Sequence, residues 1–204
     1  MNETHIVLIA GPSASGKSTL AKNLASYIAE SGYSQKLVHL DNYYRDLSHL
    51  SSEQRDQHDF DCPDSWEHER IIRDVQMLKN RQPVRIPTYD FHTHLRSNET
   101  QRLEAADYMI FEGLFALCYD ELCSLADFKI YVTIDDDTAL ERRIQRDVIE
   151  RGRTRNSVIE QFYSTVKPSN KKYIRPSEVA ADIIVQGNST QETQLNEVLK
   201  LFKL

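Results

Sequence analysis

The chain has few of the residues that mark disulfide scaffolds and interdomain linkers. Its 204 residues include three cysteines, six glycines and six prolines, all scattered along the sequence. Cys62, Cys118 and Cys123 show no paired or metal-ligand spacing, so we expect reduced thiols in a cytoplasmic protein. The sequence contains no glycine- or proline-rich stretch and no internal repeat, and this predicts one domain over residues 1–204.

Long apolar runs and an excess of positive charge are missing as well. No stretch approaches the roughly 20 apolar residues that a membrane-spanning helix needs, and the first apolar run is too short for a signal peptide. The net charge is −6, whereas a general nucleic-acid binder is usually basic. We therefore expect neither a membrane nor a nucleic acid polymer among the partners of this protein.

The order of apolar segments predicts an α/β protein. Short strand-like runs alternate with longer segments of helical periodicity, which is typical of a mostly parallel sheet flanked by helices. The predicted strands are Ile6–Ala10, Leu37–Leu40, Tyr108–Phe111, Ile130–Ile134 and Ile183–Val185. The predicted helices are Ser18–Ser31, Trp66–Lys79, Leu114–Cys123, Thr138–Arg151, Ser157–Lys167 and Gln191–Leu201. Residues 83–102 alternate in polarity and are bounded by prolines, which predicts a small β-hairpin insertion outside the main sheet.

Residues 11–18 read Gly-Pro-Ser-Ala-Ser-Gly-Lys-Ser and form a complete phosphate-binding motif. A predicted strand leads into the motif and a predicted helix follows it, as such a loop requires. Lys17 can then reach the outer phosphates of a nucleotide, and the Ser18 hydroxyl can ligate Mg²⁺. The predicted nucleotide-binding residues are Gly11, Pro12, Ser13, Ala14, Ser15, Gly16, Lys17, Ser18 and Thr19. The alternative is a glycine turn with a lysine by chance. A dinucleotide loop is excluded because Gly-x-Gly-x-x-Gly is absent, so we expect a nucleoside triphosphate.

Two acidic residues directly follow predicted strands. Asp41 follows the run 37–40, and Glu112 follows the run 108–111. The carboxyl ends of parallel strands lie along one edge of a sheet, which is where the phosphate loop also lies. One carboxylate could therefore hold Mg²⁺, and the other could accept a proton from an attacking hydroxyl. The alternative is two ordinary loop acids, since strand ends often carry aspartate.

Six arginines and no lysine occur between residues 142 and 155. They are Arg142, Arg143, Arg146, Arg151, Arg153 and Arg155. Planar guanidinium groups bind phosphate bidentately and stay charged, so the segment predicts a phosphate clamp and an arginine-rich lid over about 142–155. The alternative is a solvated helix face with pairs such as Arg143 and Asp147.

Seven motifs occur in a fixed order along the chain. They are the loop at 11–18, DNYYRD at 41–46, FDCPDS at 60–65, PTYDFHTHLR at 87–96, IFEG at 110–113, RRIQRD at 142–147 with ERGR at 150–153, and Gln161 with TVKP at 165–168. Together they resemble the uridine/cytidine kinases over nearly the whole chain. The resemblance implies the P-loop nucleoside triphosphate hydrolase fold and transfer of the ATP γ-phosphate to the 5′-hydroxyl of uridine or cytidine, in pyrimidine salvage. It also implies Mg²⁺ as cofactor and a homo-oligomer such as a tetramer.

The resemblance assigns roles to individual residues. It implies that Asp41 accepts the 5′-hydroxyl proton, with Lys17 and Arg146 also in the catalytic set, and that Arg151 and Arg153 close over ATP. The implied magnesium ligands are Ser18, Asp41 and Glu112. The implied acceptor-binding residues are Tyr44, Phe60, Asp61, Tyr89, His94, Arg96, Arg143 and Gln161. In this set Asp61 would hold the ribose hydroxyls, and His94 would read the edge of the pyrimidine.

This chain departs from the family pattern at a few positions. Cys62 stands where the family usually has histidine, Thr133 where it has aspartate, and Ser169-Asn170 where it has Met-His or a similar pair. These departures bear on substrate preference and on feedback by nucleotides. They keep open a kinase of another small hydroxyl compound, such as a sugar phosphate or a vitamin riboside. A separate alternative is a nucleotide-dependent switch without turnover, which would need missing catalytic acids or an added partner-binding region.

Overall fold

A computed structural model describes residues 3–56, 58–90, 93 and 95–202, and its main sheet has five parallel strands. These strands are β1 (His5–Ala10), β2 (Gln35–His39), β5 (Tyr108–Glu112), β6 (Phe128–Thr133) and β7 (Ile183–Gln186). Their order across the sheet is β2-β5-β1-β6-β7. The central strand β1 pairs with β5 and β6, so the loop that follows it starts at the middle of the carboxyl edge.

The helices cover both faces of this sheet. They are α1 (Lys17–Glu30), α2 (Ser52–Asp56), α3 (His68–Lys79), α4 (Asp120–Leu125), α5 (Asp136–Glu150), α6 (Arg155–Gln161), α7 (Lys167–Ser169) and α8 (Gln191–Val198). Ile6, Val7, Leu8, Ile9 and Ala10 are completely buried, as expected for a parallel strand between two helical layers. One buried cluster includes Ile6 and Leu8, and a second on the opposite face includes Val7 and Ile9.

The predicted hairpin insertion is confirmed. Strands β3 (Val84–Asp90) and β4 (Leu95–Leu103) pair antiparallel in a separate two-stranded sheet. The register shifts between Pro87 and Tyr89, because proline cannot donate to the ladder and an irregularity absorbs its missing N–H. Among the described residues, no helix is both long enough and apolar enough to cross a membrane.

The prediction of a helix over Leu114–Cys123 is partly wrong, since α4 starts only at Asp120. Residues 114–117 form turns, and Phe115, Ala116 and Leu117 are buried in the core. Burial of a short apolar run in a turn gives a sequence signal that resembles one face of a helix. The predicted start at Trp66 is also displaced, because Trp66 bridges Tyr44 and α3 begins at His68.

The helix predicted to end at Lys167 continues to Ile174. Two π-helical segments, Phe162–Val166 and Asn170–Ile174, flank α7, which contains Pro168. Proline removes a helical N–H and its ring clashes with the carbonyl four residues earlier. Wider turns on either side relieve that clash, so the helix passes the proline instead of stopping before it.

Candidate active site

A cavity of about 920 Å³ opens at the carboxyl edge of the main sheet. It brings together most of the residues predicted to bind a nucleotide, a metal ion and a small acceptor. Those that line it are Ser13, Ala14, Gly16, Lys17, Ser18, Thr19, Asp41, Tyr44, Phe60, Asp61, Tyr89, Glu112, Arg143, Arg146, Arg151, Arg153 and Gln161. The phosphate loop, the arginines and the aromatic side chains therefore face one enclosed volume.

The phosphate loop owes its path to two glycines with positive φ. Gly11 has φ 142°, and a Cβ there would lie 2.2 Å from the Val132 carbonyl oxygen on β6. Gly16 has φ 102° and forms the N-cap of α1. Lys17 is buried and donates from Nζ to the Pro12 carbonyl at 2.8 Å, and burial lowers its pKa. Pro12 thus holds the lysine across the loop, with its ammonium group beside the cavity.

Asp41 and Glu112 meet at neighbouring strand ends, as the sequence predicts. Glu112 ends β5, His39 pairs with it from β2, and Asp41 follows in the short 3₁₀ helix Leu40–Tyr43. Glu112 Oε1 accepts from Ser18 Oγ at 3.0 Å and lies 2.5 Å from His39 Nδ1. No sequence motif indicates that His39 contacts Glu112, because this contact depends on the register between β2 and β5.

The two carboxylates have opposite pKa shifts. Burial, reinforced by the charge of Glu112, raises the pKa of Asp41 to about 6. Burial alone would raise the pKa of Glu112 too, but the hydrogen bond from His39 and the charge of Lys17 outweigh it, and the pKa is lowered. Asp41 Oδ1 is buried and has no hydrogen-bond partner among the described residues. This arrangement leaves Asp41 as the group able to take up a proton near neutral pH.

An aromatic pocket adjoins Asp41. Tyr44 packs edge-on against Phe60, with ring centroids 5.4 Å apart. Its ring is tilted against that of Tyr89, with centroids 5.1 Å apart. Asp61 is buried beside them and accepts from Thr165 Oγ1 at 3.1 Å. Burial raises the pKa of Asp61, although Arg143 opposes that effect. The pocket can therefore hold a flat ring between aromatic side chains and bind hydroxyl groups through a carboxylate.

Five of the six predicted lid arginines line the cavity from α5 and the turn after it, namely Arg142, Arg143, Arg146, Arg151 and Arg153. Arg155 begins α6 and is absent from the described cavity wall. Arg143 is buried and donates to Ser13 Oγ at 3.2 Å and to Gln161 Oε1 at 2.9 Å. Arg153 also donates to Gln161 Oε1. The alternative of a solvated helix face is therefore wrong for Arg143, and the predicted pair with Asp147 is present as well, at 3.4 Å.

Arg96, assigned to the acceptor by resemblance, is not brought into the cavity. Arg96 is absent from the described cavity wall, and its guanidinium donates to Glu67 Oε1 at 3.0 Å and to the Tyr44 carbonyl at 2.6 Å. It supports the backbone of a pocket residue from behind. His94 lies outside the described residues. Gly11, Pro12 and Ser15 likewise do not appear in the described cavity wall, although they shape the loop.

One wall of the cavity was missed from the sequence. It comprises Gly113, Leu114, Gly187, Ser189, Thr190, Gln191 and Gln194, and Arg142 of the predicted lid adjoins it. Arg142 donates to the Gly187 carbonyl at 3.0 Å, and Thr190 caps α8. The rule that ligands bind at the carboxyl ends of strands could have found this wall, because residues 187–191 follow β7 as Asp41 follows β2.

The donor set at the phosphate loop suits Mg²⁺. Ser18 Oγ and the Glu112 carboxylate are joined by a hydrogen bond, and the buried Asp41 Oδ1 has no partner among the described residues. Mg²⁺ prefers oxygen ligands and is usually bound by one or two carboxylates together with substrate phosphates. No group of three metal-ligating acids, histidines or cysteines occurs in the described part of the chain.

The parallel sheet, the phosphate loop after its central strand and the arginine lid define a P-loop kinase. The fold is similar to that of phosphoribulokinase from Rhodobacter spheroides, with TM-score 0.71 and 17% identity over 91% of this chain and 71% of that one. The phosphoribulokinase / uridine kinase family matches residues 6–194, and the chain belongs to this family.

Curated relatives cover nearly the whole chain. A uridine kinase of Staphylococcus epidermidis is 41% identical over 94% of this chain and 92% of its own length. A uridine kinase of Lactobacillus helveticus is 41% identical over 94% of this chain and 90% of its own length. The family assignment therefore rests on the entire domain and not on the phosphate loop alone.

Proposed function

We propose that this protein transfers the γ-phosphate of ATP to the 5′-hydroxyl of uridine or cytidine and releases UMP or CMP. One observation supports this most: Asp41, with its Oδ1 atom buried, lines the same cavity as the phosphate loop and the aromatic pocket that contains Asp61. The relatives named uridine kinase, 40–41% identical to this chain, support the same acceptor.

In this proposal Asp41 accepts the proton of the 5′-hydroxyl as that oxygen attacks the γ-phosphorus. A pKa raised to about 6 leaves Asp41 ionised at neutral pH, yet basic enough to take up a proton. Lys17 and Arg146 face the same volume and would stabilise the negative charge of the transferring phosphoryl group. Arg151 and Arg153 would bind the phosphates from the lid side.

The acceptor would lie in the aromatic pocket. Tyr44, Phe60 and Tyr89 would enclose the pyrimidine, and Asp61 would accept hydrogen bonds from the ribose hydroxyls. A site built to bind a hydroxyl rejects an analogue that lacks it, because its own polar group is then left unpaired. Arg143 and Gln161 would line the pocket, Arg96 would brace Tyr44, and His94 would read the base edge.

Mg²⁺ would be held by Ser18, Glu112 and Asp41 together with the phosphates of ATP. When bound, it would neutralise charge on the β- and γ-phosphates. The proposal places the reaction in the cytoplasm, on the basis of its need for ATP and of the free thiols of Cys62, Cys118 and Cys123. It also includes the homo-oligomer that the family resemblance implies, which light scattering on the purified protein tests.

The direct test is incubation of the protein with ATP, Mg²⁺ and either uridine or cytidine, followed by chromatography for the monophosphate. We expect UMP or CMP and a stoichiometric amount of ADP. Omission of the nucleoside is the control and should leave ATP largely intact. Failure of both nucleosides in a folded protein that binds ATP would overturn the proposal.

A further inference from the structure

Asp147 on α5 has no role in the reaction described above, although the arginines around it do. Its carboxylate is completely buried and contacts three arginines. Arg146 Nε donates to Oδ1 at 2.8 Å, Arg143 Nε lies 3.4 Å from Oδ2, and Arg151 Nη1 lies 3.6 Å from Oδ1. One buried acid therefore hydrogen-bonds one guanidinium group and lies within ion-pair distance of two more.

The same three arginines face the cavity with their other ends. Arg143 Nη1 and Arg146 Nη2 reach Ser13 Oγ in the phosphate loop at 3.2 and 3.5 Å. Each of these two guanidinium groups thus has Asp147 on one side and the loop on the other. This geometry restricts the positions that the two guanidinium groups can occupy.

Asp147 is the acid that these three guanidinium groups share. Asp61 also attracts Arg143, and Asp41 also attracts Arg151. All three guanidinium groups line the cavity, where an anion can bind them. Arginine keeps its charge in such surroundings.

The backbone of Asp147 anchors the rest of the lid. Its carbonyl accepts from the Arg151 amide at 3.2 Å and from the Arg153 amide at 3.1 Å. The turn after α5 is therefore folded back onto the last turn of the helix. Arg153 reaches the cavity from this turn and shares Gln161 with Arg143.

We propose that Asp147 is a positioning residue that orients Arg143, Arg146 and Arg151 toward the transferring phosphates. It does not touch the reacting atoms itself. This inference rests on the proposed phosphoryl transfer and deepens it, because it names the group that sets the geometry of the lid. The arginines are then preorganised before ATP binds, and little reorganisation is needed during the reaction.

The test is Asp147→Asn in the full-length protein. The change keeps the shape and removes the charge. We expect kcat with uridine to fall by about 10²-fold, the loss typical of a catalytic group displaced by about 1 Å, while KM for uridine changes less than about threefold. A matched control is Asp136→Asn on the same helix, where the acid also contacts two cations, Lys167 and Arg175, away from the described cavity wall. It should leave kcat unchanged.

A double-mutant cycle with Arg146→Gln separates positioning from stability. If Asp147 acts through Arg146, the effects of the two changes on kcat do not multiply. Fully multiplicative effects, or an unchanged kcat in Asp147→Asn, would overturn the inference.

Asp147→Glu provides a second variant in case Asp147→Asn does not fold, because it keeps the charge and shifts the carboxylate by one methylene. A folded Asp147→Glu protein should still lose kcat, and wild-type turnover in it would contradict a positioning role.

ATP affinity measured by calorimetry without a nucleoside keeps the two proposals apart. Asp147→Asn should weaken ATP binding even if the acceptor is not uridine or cytidine. If the wild-type protein phosphorylates no pyrimidine nucleoside, the proposed function is contradicted and the inference about Asp147 is not. Unchanged ATP affinity in a folded Asp147→Asn protein would contradict the inference itself.

Discussion

Asp41 is the residue on which the proposed chemistry depends most. It is held in a short 3₁₀ turn directly after β2, and one of its carboxylate oxygens is buried and has no hydrogen-bond partner among the described residues. Burial has the largest effect on its pKa and raises it. The negative charge of Glu112 raises the pKa further, and the positive charge of Lys17 lowers it by less. A carboxylate that is poorly solvated and lacks a partner is well suited to accept a proton.

Asp41→Asn tests this role. The amide cannot accept the 5′-hydroxyl proton, so we expect kcat to fall by about 10²- to 10⁴-fold. ATP affinity should stay close to that of the wild type, because the phosphate loop is untouched. Steady-state kinetics and calorimetry measure the two quantities separately. Asp46→Asn, an exposed acid bonded only locally to Ser48, is the control and should leave kcat unchanged. Turnover close to wild type in Asp41→Asn would mean that another group is the base.

At the scale of single residues, the sequence predicts groups that stand in a local motif. The phosphate loop and the acids at strand ends need only their neighbours in the chain to be recognised. His39 beside Glu112 and Asp147 beneath the arginines depend on pairing between strands and on which face of α5 is buried. Spacing along the chain cannot distinguish a buried Asp147 from an exposed one in an i,i+4 pair.

The end of β7 fixes the position of the phosphate loop within the fold. The Gly187 amide donates to the Thr133 carbonyl at 2.7 Å, and a Cβ at Gly187 would lie 2.3 Å from the Ser15 carbonyl oxygen. The loop backbone and the β7 terminus are thus in direct contact. Sequence alone gives no sign of it, because residues 15 and 187 are far apart in the chain.

Gly187→Ala is therefore expected to displace the loop. The added methyl group cannot fit against the Ser15 backbone, and overpacking of this kind costs about 1–3 kcal/mol. We expect a lower melting temperature and weaker ATP binding, measured by thermal unfolding and calorimetry. Asn188→Ala, at the next and exposed position, should change neither. Wild-type ATP affinity in Gly187→Ala would show that the loop does not depend on this contact.

Asp107 joins the starts of two neighbouring parallel strands. Its carboxylate accepts from the Ser34 amide at 3.0 Å and hydroxyl at 2.6 Å, and from Arg81 at 2.8 Å. Ser34 precedes β2, whose other end leads to Asp41. The hydrogen bond from the Ser34 hydroxyl, followed by that from Arg81, lowers the pKa of Asp107 to about 2.

A pH dependence of stability follows from that lowered pKa. The unfolded chain binds the proton at higher pH than the folded chain, so the contribution of Asp107 to stability is present above about pH 4. It is lost as the pH falls toward 2. Asp107→Asn should therefore melt below the wild type at pH 7, and this difference should shrink as the pH falls from 4 to 2. A difference that stays constant down to pH 2 would contradict a charge-based contribution.

Elements with a regular pattern are predicted well from the sequence, and the errors have physical causes. The five parallel strands and the hairpin lie where alternation and apolar runs indicate them. Residues 114–117 read as helical because they are apolar and buried, although they form turns. The sequence predicts a helix end at Lys167, directly before Pro168, but the π-helical turns on either side of α7 let the helix continue.

For the molecule as a whole, the fold brings distant motifs to one edge. The net charge of −6 gives no indication of the arginine cluster in the cavity, because the distribution of charge and not its sum sets the local potential. The phosphate loop identifies the donor half of the cavity from the sequence. The acceptor half is assembled from residues 44, 60, 61 and 89, which only the fold and the family resemblance bring together.

The proposed function depends above all on which compound receives the γ-phosphate. A competition between possible acceptors decides this. The protein is given γ-labelled ATP and Mg²⁺ with equal concentrations of uridine, cytidine, 2′-deoxyuridine, ribulose 5-phosphate and a vitamin riboside in one vessel. We predict that the label enters UMP or CMP and that 2′-deoxyuridine is phosphorylated far more slowly, because Asp61 then loses its hydrogen bond from the 2′-hydroxyl. Label in ribulose bisphosphate or in the vitamin nucleotide, with none in UMP or CMP, would contradict the account.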